Sequence, residues 1–351
     1  MIKKIITVLL VLIICGCSDR ISLENELRAL GYNEKDINLI IEFNRNDVKP
    51  LYESNNTYLL NIIKDERFDA NNVAEYSKHY KEVNSDLLFD LVNNGYTKKN
   101  NWNIIKSIVN NNHFIYDNLD LYIEYSSTIK DISRLISYVN VGAYKKPYSD
   151  IELADLSNEM IVIANKWHYL GDYEPSNLIT IDKKYGLAKH DQQLKQETYD
   201  AFIKMYDAAK KDKVNIYITS AYRSYSYQIK IYCDYLKSDP LEIVDTYSSR
   251  PGYSDHQTGL ACDILSNGFN FDSFEESEAY KWLIENADKY GFILRFPKDK
   301  EDVTGYMYES WHYRYVGEEI AKYIKENKLT YEEYYAYFIE NINSNTKQMI
   351  K

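Results

Sequence analysis

The hydrophobic pattern of the chain changes near residue 136, and this change constrains the fold more than any other feature. Before it, from about residue 21, apolar residues recur at helical spacing. After it, helical segments alternate with short runs of β-branched and aromatic residues that are typical of buried strands. A chain of 351 residues is too long for one ordinary core. We therefore expect an all-α region over 17–135, an α+β domain over 136–330 and a helical tail over 331–351.

Two segments of the helical region resemble each other. LRALGYNEKDINLII begins at Leu27 and aligns with LVNNGYTKKNNWNII, which begins at Leu91. The alignment matches Gly31 with Gly95, and a glycine in this position suits the C-terminal cap of a helix. The repeat predicts a small array of helical hairpins that acts as a spacer or docking platform, because no catalytic constellation lies in it.

The second region reads as a sheet with flanking helices. Loop-like residues over 139–178 precede a predicted helix over 191–211. The later patterns predict strands in NIYITSAYRS, GLACDIL, 291–296 and 306–316, a helix over 275–290, and further helices between and after the strands. No strand–helix–strand repetition is evident. A mostly antiparallel sheet is therefore expected instead of a doubly wound parallel one.

The N-terminus, MIKKIITVLLVLIICGCSDR, has the layout of a secretory signal over residues 1–16. Its apolar run from Ile5 to Ile14 is too short to span a bilayer comfortably. The ending ICGC resembles the bacterial lipobox, in which the cysteine after the cut, here Cys17, becomes lipid-modified. We expect a tether to the outer face of the cytoplasmic membrane, with a plain N-terminal anchor helix as the alternative.

The net charge and the cysteine content argue against two classes of function, nucleic-acid binding and metal binding by cysteines. The formal net charge is −11, from 53 acidic and 42 basic residues, so the surface would repel a phosphate backbone and no nucleic-acid partner is expected. Beyond the N-terminal segment only Cys233 and Cys262 remain, and they lack the spacing of zinc ligands. We assign these two thiols no function.

Two short polar stretches carry candidate metal ligands. In SDHQTGLACD, His256 and Asp263 bracket a turn that contains Gly259, so that both side chains could face one point. In ESWH, Glu309 stands three residues before His312 and offers a general base beside a third ligand. Positions three apart point to opposite faces of an ideal strand, so we expect a turn or bulge at Glu309.

A third stretch, SAYRSYSYQ, places an arginine where a predicted strand ends and a helix begins. From such a position the guanidinium of Arg223 can reach into a cleft, where it would bind a carboxylate or stabilise an oxyanion. Beside a metal site that holds water, this arrangement indicates peptide hydrolysis.

The order and spacing of these three stretches resemble the VanY-type D-alanyl-D-alanine carboxypeptidases. This family belongs to a zinc peptidase superfamily that includes the VanX-type dipeptidases and the Hedgehog N-domain. The resemblance covers about residues 139–326 and implies a Hedgehog/DD-peptidase-like fold with one Zn²⁺. It implies zinc ligands at His256, Asp263 and His312, a catalytic base at Glu309, a transition-state stabiliser at Arg223, and substrate contacts at Ser254 and Gln228.

The resemblance therefore implies removal of the terminal D-alanine from peptidoglycan stem peptides, at the wall-facing surface of the membrane. Two alternatives stay open at this point. Related proteins cleave L,D bonds as carboxypeptidases or endopeptidases, and a zinc-containing domain without turnover could bind the cell wall. Protein partners are not predicted.

Overall fold

The computed structural model describes residues 21–22, 24–25, 27–29, 31–42, 62, 64–188 and 190–340. Contacts divide the chain into two compact units, residues 1–132 and 133–351. The predicted signal segment over 1–16 and the predicted lipidation site, Cys17, lie outside the described residues. Within the described ranges, no helix is both long and apolar enough to cross a bilayer. The predicted boundary at residue 136 and the role of each region stay predictions.

The described part of the first unit is helical. Its helices are α1 (Glu34–Glu42), α2 (Val73–His79), α3 (Ser85–Asn93), α4 (Trp102–Val109) and α5 (Leu119–Tyr125). Each amphipathic helix buries one face, as Leu88 of α3, Ile105 of α4 and Tyr122 of α5 illustrate. Gly95 follows α3 with φ of 73°, a left-handed conformation that glycine adopts without steric cost where a helix ends. The interpretation of this region as a repeat array stays a prediction.

The second unit mixes helices and strands. Its strands are β1 (Glu152–Leu153), β2 (His168–Tyr169), β3 (Leu178–Thr180), β4 (Gln193–Lys195), β5 (Tyr217–Ser220), β6 (Ala261–Leu265), β7 (Phe292–Leu294) and β8 (His312–Tyr315). Helix α6 (Ile132–Asn140) begins at the last residue of the first unit. The helices that follow are α7 (Gln196–Lys211), α8 (Tyr225–Tyr235), α9 (Leu241–Tyr247), α10 (Glu278–Asn286), α11 (Glu301–Thr304), α12 (Glu318–Asn327) and α13 (Tyr331–Tyr335).

Four strands form the central sheet in the order β5-β6-β8-β7, and every neighbouring pair is antiparallel. All five residues of β6 are buried. Ile218, Ile264 and Tyr313 from three of the strands share one apolar core with Phe202 of α7. The second unit is thus an α+β structure with an antiparallel central sheet, in agreement with the sequence.

Two small strand pairs occur where the sequence predicted loop or helix. β1 pairs with β2 in parallel inside the expected loop, and β3 pairs with β4 in antiparallel fashion. The helix predicted over 191–211 begins only at Gln196. Its first residues are extended because Leu194 pairs with Ile179 and the backbone N–H of Lys195 donates to the carbonyl of Gly259 at 3.0 Å.

Two predicted elements are shorter than expected. The strand predicted over 306–316 comprises only His312–Tyr315, because preceding backbone groups bond to other parts of the chain: the N–H of Met307 donates to Thr246 and that of Glu309 to Phe296. The helix predicted over 275–290 is α10 with a 3₁₀ turn on each side, Phe274–Glu276 and Ala287–Tyr290.

Both cysteines of the second unit are free thiols. Cys233 is exposed on α8, whereas Cys262 is buried in β6 among core residues. Burial raises the pKa of the Cys262 thiol well above its usual value. Cys262 therefore packs as a small apolar side chain.

Candidate active site

The register of the central sheet places two of the predicted ligands side by side. Asp263 of β6 pairs with His312, the first residue of β8, and on its other side with Ser220, the last residue of β5. Directly opposed residues of antiparallel strands have neighbouring Cβ atoms. The site therefore forms at one end of the sheet, where three strands meet.

A tight turn brings the third candidate ligand to the same point. The 3₁₀ turn Asp255–Thr258 precedes β6 and ends at Gly259, whose φ is 69°. A Cβ at Gly259 would lie 3.0 Å from Leu178 and 3.1 Å from the Lys195 side chain, so only glycine fits this reversal. The turn directs His256 back toward Asp263. The structure thus brings together His256, Asp263 and His312, whose ligand atoms lie within 4.8 Å of one another.

The protonation of the two imidazoles follows from their partners. His256 Nδ1 lies 2.8 Å from the carbonyl oxygen of Ala221, so Nδ1–H donates there and Nε2 carries a lone pair. His312 Nε2 lies 3.2 Å from Asp255 Oδ2 and donates to it, which leaves the lone pair on Nδ1. Both lone pairs face inward.

A buried carboxylate oxygen lies between these lone pairs. Asp263 Oδ1 is 3.3 Å from His256 Nε2 and 3.4 Å from His312 Nδ1, and it has no hydrogen-bond partner in the described structure. Burial disfavours ionisation, yet nearby positive charge, including the Arg223 guanidinium, holds the pKa of Asp263 well below its usual range. Three inward-facing acceptors repel one another unless a proton or a metal ion lies between them, and two nitrogens with one carboxylate oxygen are a donor set that suits zinc.

Glu309 lies before β8 and not within it. A turn at Ser310–Trp311 separates it from the strand, which confirms the irregularity expected there. Glu309 Oε2 lies 3.3 Å from His312 Nδ1. Burial raises the pKa of Glu309, and the negative charge of Asp263 adds to this effect. A carboxylate with a raised pKa beside a metal site is suited to take up and release a proton.

Arg223 lies just after β5 and reaches the same point. Its Nη2 donates to Asp263 Oδ2 at 2.9 Å and its Nε to the Ser220 hydroxyl at 3.0 Å. The backbone N–H of Arg223 donates to the carbonyl of His256 at 3.3 Å, which ties the loop after β5 to the ligand turn. A permanent positive charge therefore lies at the edge of the candidate metal site.

A buried charge network behind His312 was missed by the sequence analysis. Asp255 accepts hydrogen bonds from His312 and from Arg314, and its Oδ2 lies 3.7 Å from Arg295 Nε. Arg295 in turn forms a two-pronged ion pair with Glu332, at 2.6 and 2.7 Å. Although burial opposes ionisation, Arg314 and its neighbours hold the pKa of Asp255 well below its usual range. The arginines in the apolar runs GFILRF and WHYRYV were the available sequence signal.

The site opens into a cavity of about 300 Å³. Its walls include Arg223, Tyr235, Tyr247, Ser248, Ser249, Ser254, Asp255, His256, Asp263, Phe271, Asp272, Phe296, Tyr306, Met307, Glu309, Trp311 and His312. A cleft of about 700 Å³ shares Arg223 and Asp263 with it. A cavity of this kind, with aromatic walls and charged groups on one side, can take the end of a short peptide.

The two predicted substrate contacts lie in different positions. Ser254 is buried in the cavity wall, directly before the ligand turn. Gln228 is not one of the residues that line this cavity. Its side chain is buried and donates to the carbonyl of Ser249 at 2.8 Å, and Ser249 does line the cavity. The structure therefore places Gln228 behind the wall, and its contact with substrate stays a prediction.

Two other histidines of this unit, His168 and His190, do not line the 300 Å³ cavity, although His190 lines the adjoining cleft. His190 is exposed beside Gln192. His168 is buried on β2, with Nδ1 3.0 Å from Asn165 Oδ1, and burial lowers its pKa to about 4. His168 is thus structural with respect to the candidate active site.

Comparison with known proteins agrees with this geometry. Residues 191–318 match the family model described as "VanY: D-alanyl-D-alanine carboxypeptidase". The chain is 40% identical over 196 residues to the "Putative carboxypeptidase YodJ" of Bacillus subtilis, covering 54% of this chain and 72% of the relative. It is 36% identical over 183 residues to a D-alanyl-D-alanine carboxypeptidase of Enterococcus faecalis, covering 47% and 67%.

A solved structure is similar as well. The LdcB LD-carboxypeptidase shares 39% sequence identity with this chain, with a TM-score of 0.50, and the match covers 56% of this chain and 96% of that one. The matched part contains the three motif-bearing stretches of the second unit. The chain belongs to the VanY family of D-alanyl-D-alanine carboxypeptidases.

Proposed function

We propose that this protein uses one zinc ion to remove the terminal D-alanine from peptidoglycan stem peptides. The observation that carries the proposal is the buried Asp263 Oδ1, which faces two imidazole lone pairs and has no hydrogen-bond partner in the described structure. Glu309 and Arg223 lie beside this oxygen in one cavity. Membership of the VanY family supports D-alanyl-D-alanine as the bond that is cut.

His256, Asp263 and His312 would hold the zinc ion. Three protein ligands of nitrogen and oxygen type leave one coordination position open, as in catalytic zinc sites. When bound, the ion lowers the pKa of a water ligand toward neutrality and polarises the scissile carbonyl. The antiparallel sheet with flanking helices supports the finer proposal of a Hedgehog/DD-peptidase-like fold.

Glu309 is the proposed general base and acid. Its carboxylate takes a proton from the attacking water and then delivers a proton to the nitrogen of the departing D-alanine. Burial raises its pKa above that of an exposed glutamate, which favours the release of the proton as well as its uptake.

Arg223 and Ser254 are proposed to act on the substrate. The Arg223 guanidinium would bind the carbonyl oxygen as negative charge develops on it, since it lies at the cavity edge with its charge directed toward Asp263. The Ser254 hydroxyl would contact the peptide from the wall. Gln228 would support this wall through Ser249.

The Glu309→Ala variant tests the assignment. We expect it to keep its zinc but to release D-alanine from a pentapeptide stem at least about 100-fold more slowly, because the proton acceptor is lost. Metal analysis and mass spectrometry of the products measure both quantities. Glu278→Ala, on the exposed face of α10, is the matched control and should behave as the natural chain. Turnover that persists in Glu309→Ala would refute the assigned role.

An L,D-carboxypeptidase activity is the second candidate, because the similar structure described above is that of an LD-carboxypeptidase. Tetrapeptide stems ending in an L,D bond and pentapeptide stems ending in a D,D bond separate the two activities when the products are weighed. An internal cut in either stem would indicate an endopeptidase. Binding of wall fragments without any cleavage would indicate a non-catalytic module, against which the presence of Glu309 and Arg223 argues.

Attachment to the outer face of the cytoplasmic membrane through Cys17 is a further part of the proposal. The lipobox-like ICGC supports it. The helical first region would then act as a spacer between the anchor and the wall. Metabolic labelling with a radioactive fatty acid should mark the natural chain and not Cys17→Ser, and equal labelling of both would contradict the anchor.

A further inference from the structure

A second group of potential metal ligands lies in the C-terminal unit, apart from the active site. Glu152 of β1 and His168 of β2 are partners in the parallel strand pair. Glu340 ends the helical turn Ala336–Glu340 that follows α13. One ligand atom from each of the three residues lies within 4.8 Å of the other two. None of the three lines the active-site cavity.

The tautomer of His168 follows from its neighbour Asn165. The Asn165 side-chain nitrogen donates to Glu332 at 3.1 Å, so its oxygen must be the acceptor that faces His168 Nδ1 at 3.0 Å. The same oxygen accepts from the backbone N–H of Trp167 at 3.0 Å. The proton of His168 is therefore on Nδ1, and Nε2 carries a lone pair.

His168 Nε2 is buried and has no hydrogen-bond partner in the described structure. The residue is only 8% exposed, and one of its ring nitrogens lies within 4.8 Å of a carboxylate oxygen of Glu152 and of Glu340. Because Nδ1 already bonds to Asn165, Nε2 is the nitrogen that is left for a ligand. A lone pair and carboxylate oxygens repel one another at this distance unless a cation or a proton lies between them. This is the same pattern as in the active site, where two imidazole lone pairs face Asp263 Oδ1.

Lys145 supplies only part of the positive charge that these facing oxygen and nitrogen atoms need. Its ammonium lies 2.6 Å from Glu152 Oε1, so one carboxylate oxygen has a cationic partner. Glu152 and Glu340 also share a side-chain hydrogen bond, which needs a proton on one of the two carboxyl groups. An ion that displaces this proton would have the second oxygen of Glu152, the carboxyl group of Glu340 and His168 Nε2 as its ligands. The Glu152 side chain is 49% exposed, which leaves room for water to complete the coordination.

We propose that Glu152, His168 and Glu340 bind a second divalent metal ion. One imidazole nitrogen with two carboxylates suits a first-row transition ion such as zinc. The hydrogen bond from His168 to Asn165 supplies the outer support that metal-binding histidines usually have. Because the ligands come from the strand pair and from the segment after α13, the ion would fasten the last described turn of the chain to β1 and β2.

Zinc counting on the full-length protein tests the site. The chain is equilibrated with zinc in a metal buffer, passed through a desalting column and analysed for zinc per chain. We expect two ions in the natural chain and one in Glu340→Gln and in His168→Gln. If the substitution of the buried His168 impairs folding, Glu340→Gln alone tests the site. Glu326→Gln, an exposed change on α12, is the matched control and should keep both ions.

Two more variants separate this site from the active site. Asp263→Asn should lose one ion and keep the other, and combining it with Glu340→Gln should remove both. Lys145→Met should tighten the second site, because it removes the cation that competes for Glu152. Three results together would overturn the proposal: the natural chain holds one zinc ion, Glu340→Gln keeps that ion, and Lys145→Met does not gain a second. A proton shared by the carboxyl groups would then occupy the site. The proposal is overturned equally by a second ion that Glu340→Gln leaves in place, which would be adventitious surface binding.

Discussion

Asp255 lies directly behind the candidate zinc ligand His312. It accepts from His312 Nε2 and thereby holds the ring so that Nδ1 faces Asp263. We predict that Asp255→Asn weakens zinc binding about 10- to 100-fold, as removal of a carboxylate behind a metal-binding histidine commonly does. Competition with a fluorescent zinc chelator measures this affinity.

Stability must be measured together with that affinity, because Asp255→Asn also removes the buried counter-charge of Arg314, whereas Arg295 keeps its ion pair with Glu332. Breaking a buried ion pair costs about 3 to 5 kcal/mol. Glu333→Gln is the matched control, since it breaks the ion pair of another buried carboxylate, with Lys300, outside the active-site cavity. The control should lower stability and leave zinc affinity unchanged. Equal zinc affinity in Asp255→Asn and the control would show that Asp255 does not orient the ligand.

Arg223 contributes through the shape of its guanidinium as well as through its charge. Two of its nitrogens bond simultaneously, one to Asp263 and one to Ser220, and a lysine has a single donor group to offer. We predict that Arg223→Lys lowers kcat for D-alanine release by about 10²- to 10³-fold, comparable to the loss of one oxyanion donor. Steady-state kinetics on pentapeptide stems measures it, and a change confined to KM would indicate a binding role only.

At the scale of elements, the turn between the 3₁₀ segment and β6 decides whether the ligands meet. Gly259 has a left-handed backbone, and a Cβ at this position would lie 3.0 Å from Leu178 and 3.1 Å from Lys195. We predict that Gly259→Ala costs about 1 to 2 kcal/mol for the backbone conformation and a further 1 to 3 kcal/mol for overpacking. Urea unfolding measures the total, and zinc affinity should fall with it because His256 is displaced.

Gly268 provides the matched control for this change. Its φ of 88° is also left-handed, but no atom lies within 4 Å of a Cβ placed there. Gly268→Ala should therefore show only the backbone cost of about 1 to 2 kcal/mol and normal zinc affinity. Equal losses in the two variants would mean that close packing at Gly259 does not hold the turn.

At the scale of the whole molecule, the division into two compact units indicates that the chemistry belongs to the second. Every candidate active-site residue lies beyond residue 132, and α6 begins there. We predict that a chain starting at Asp131 releases D-alanine from soluble stem peptides within about twofold of the full-length rate, because binding and chemistry use the same cavity. A large loss of rate on soluble peptides would show that the first unit contributes to the site.

Much of the active site could be predicted because its residues are close in sequence or chemically distinctive. His256, Gly259 and Asp263 lie within one turn and strand, so local backbone rules suffice to bring two ligands together. The spacing of Glu309 and His312 required an irregular strand start, and the structure has one. The α+β class could also be predicted, because helical spacing of apolar residues alternates with strand-like runs in the second half of the chain.

What the sequence by itself determined is thus the set of reactive side chains and the local turns that carry them, since these depend on neighbours a few residues away. The tertiary structure alone decided the register that sets Asp263 against His312, the early end of the strand predicted over 306–316, and the burial of Arg314 against Asp255. The tertiary structure also decided that Glu152 and Glu340 lie close to His168, although both are distant from it along the chain. These features depend on hydrogen bonds and charges from residues distant along the chain, and short-range spacing does not encode which distant partner arrives.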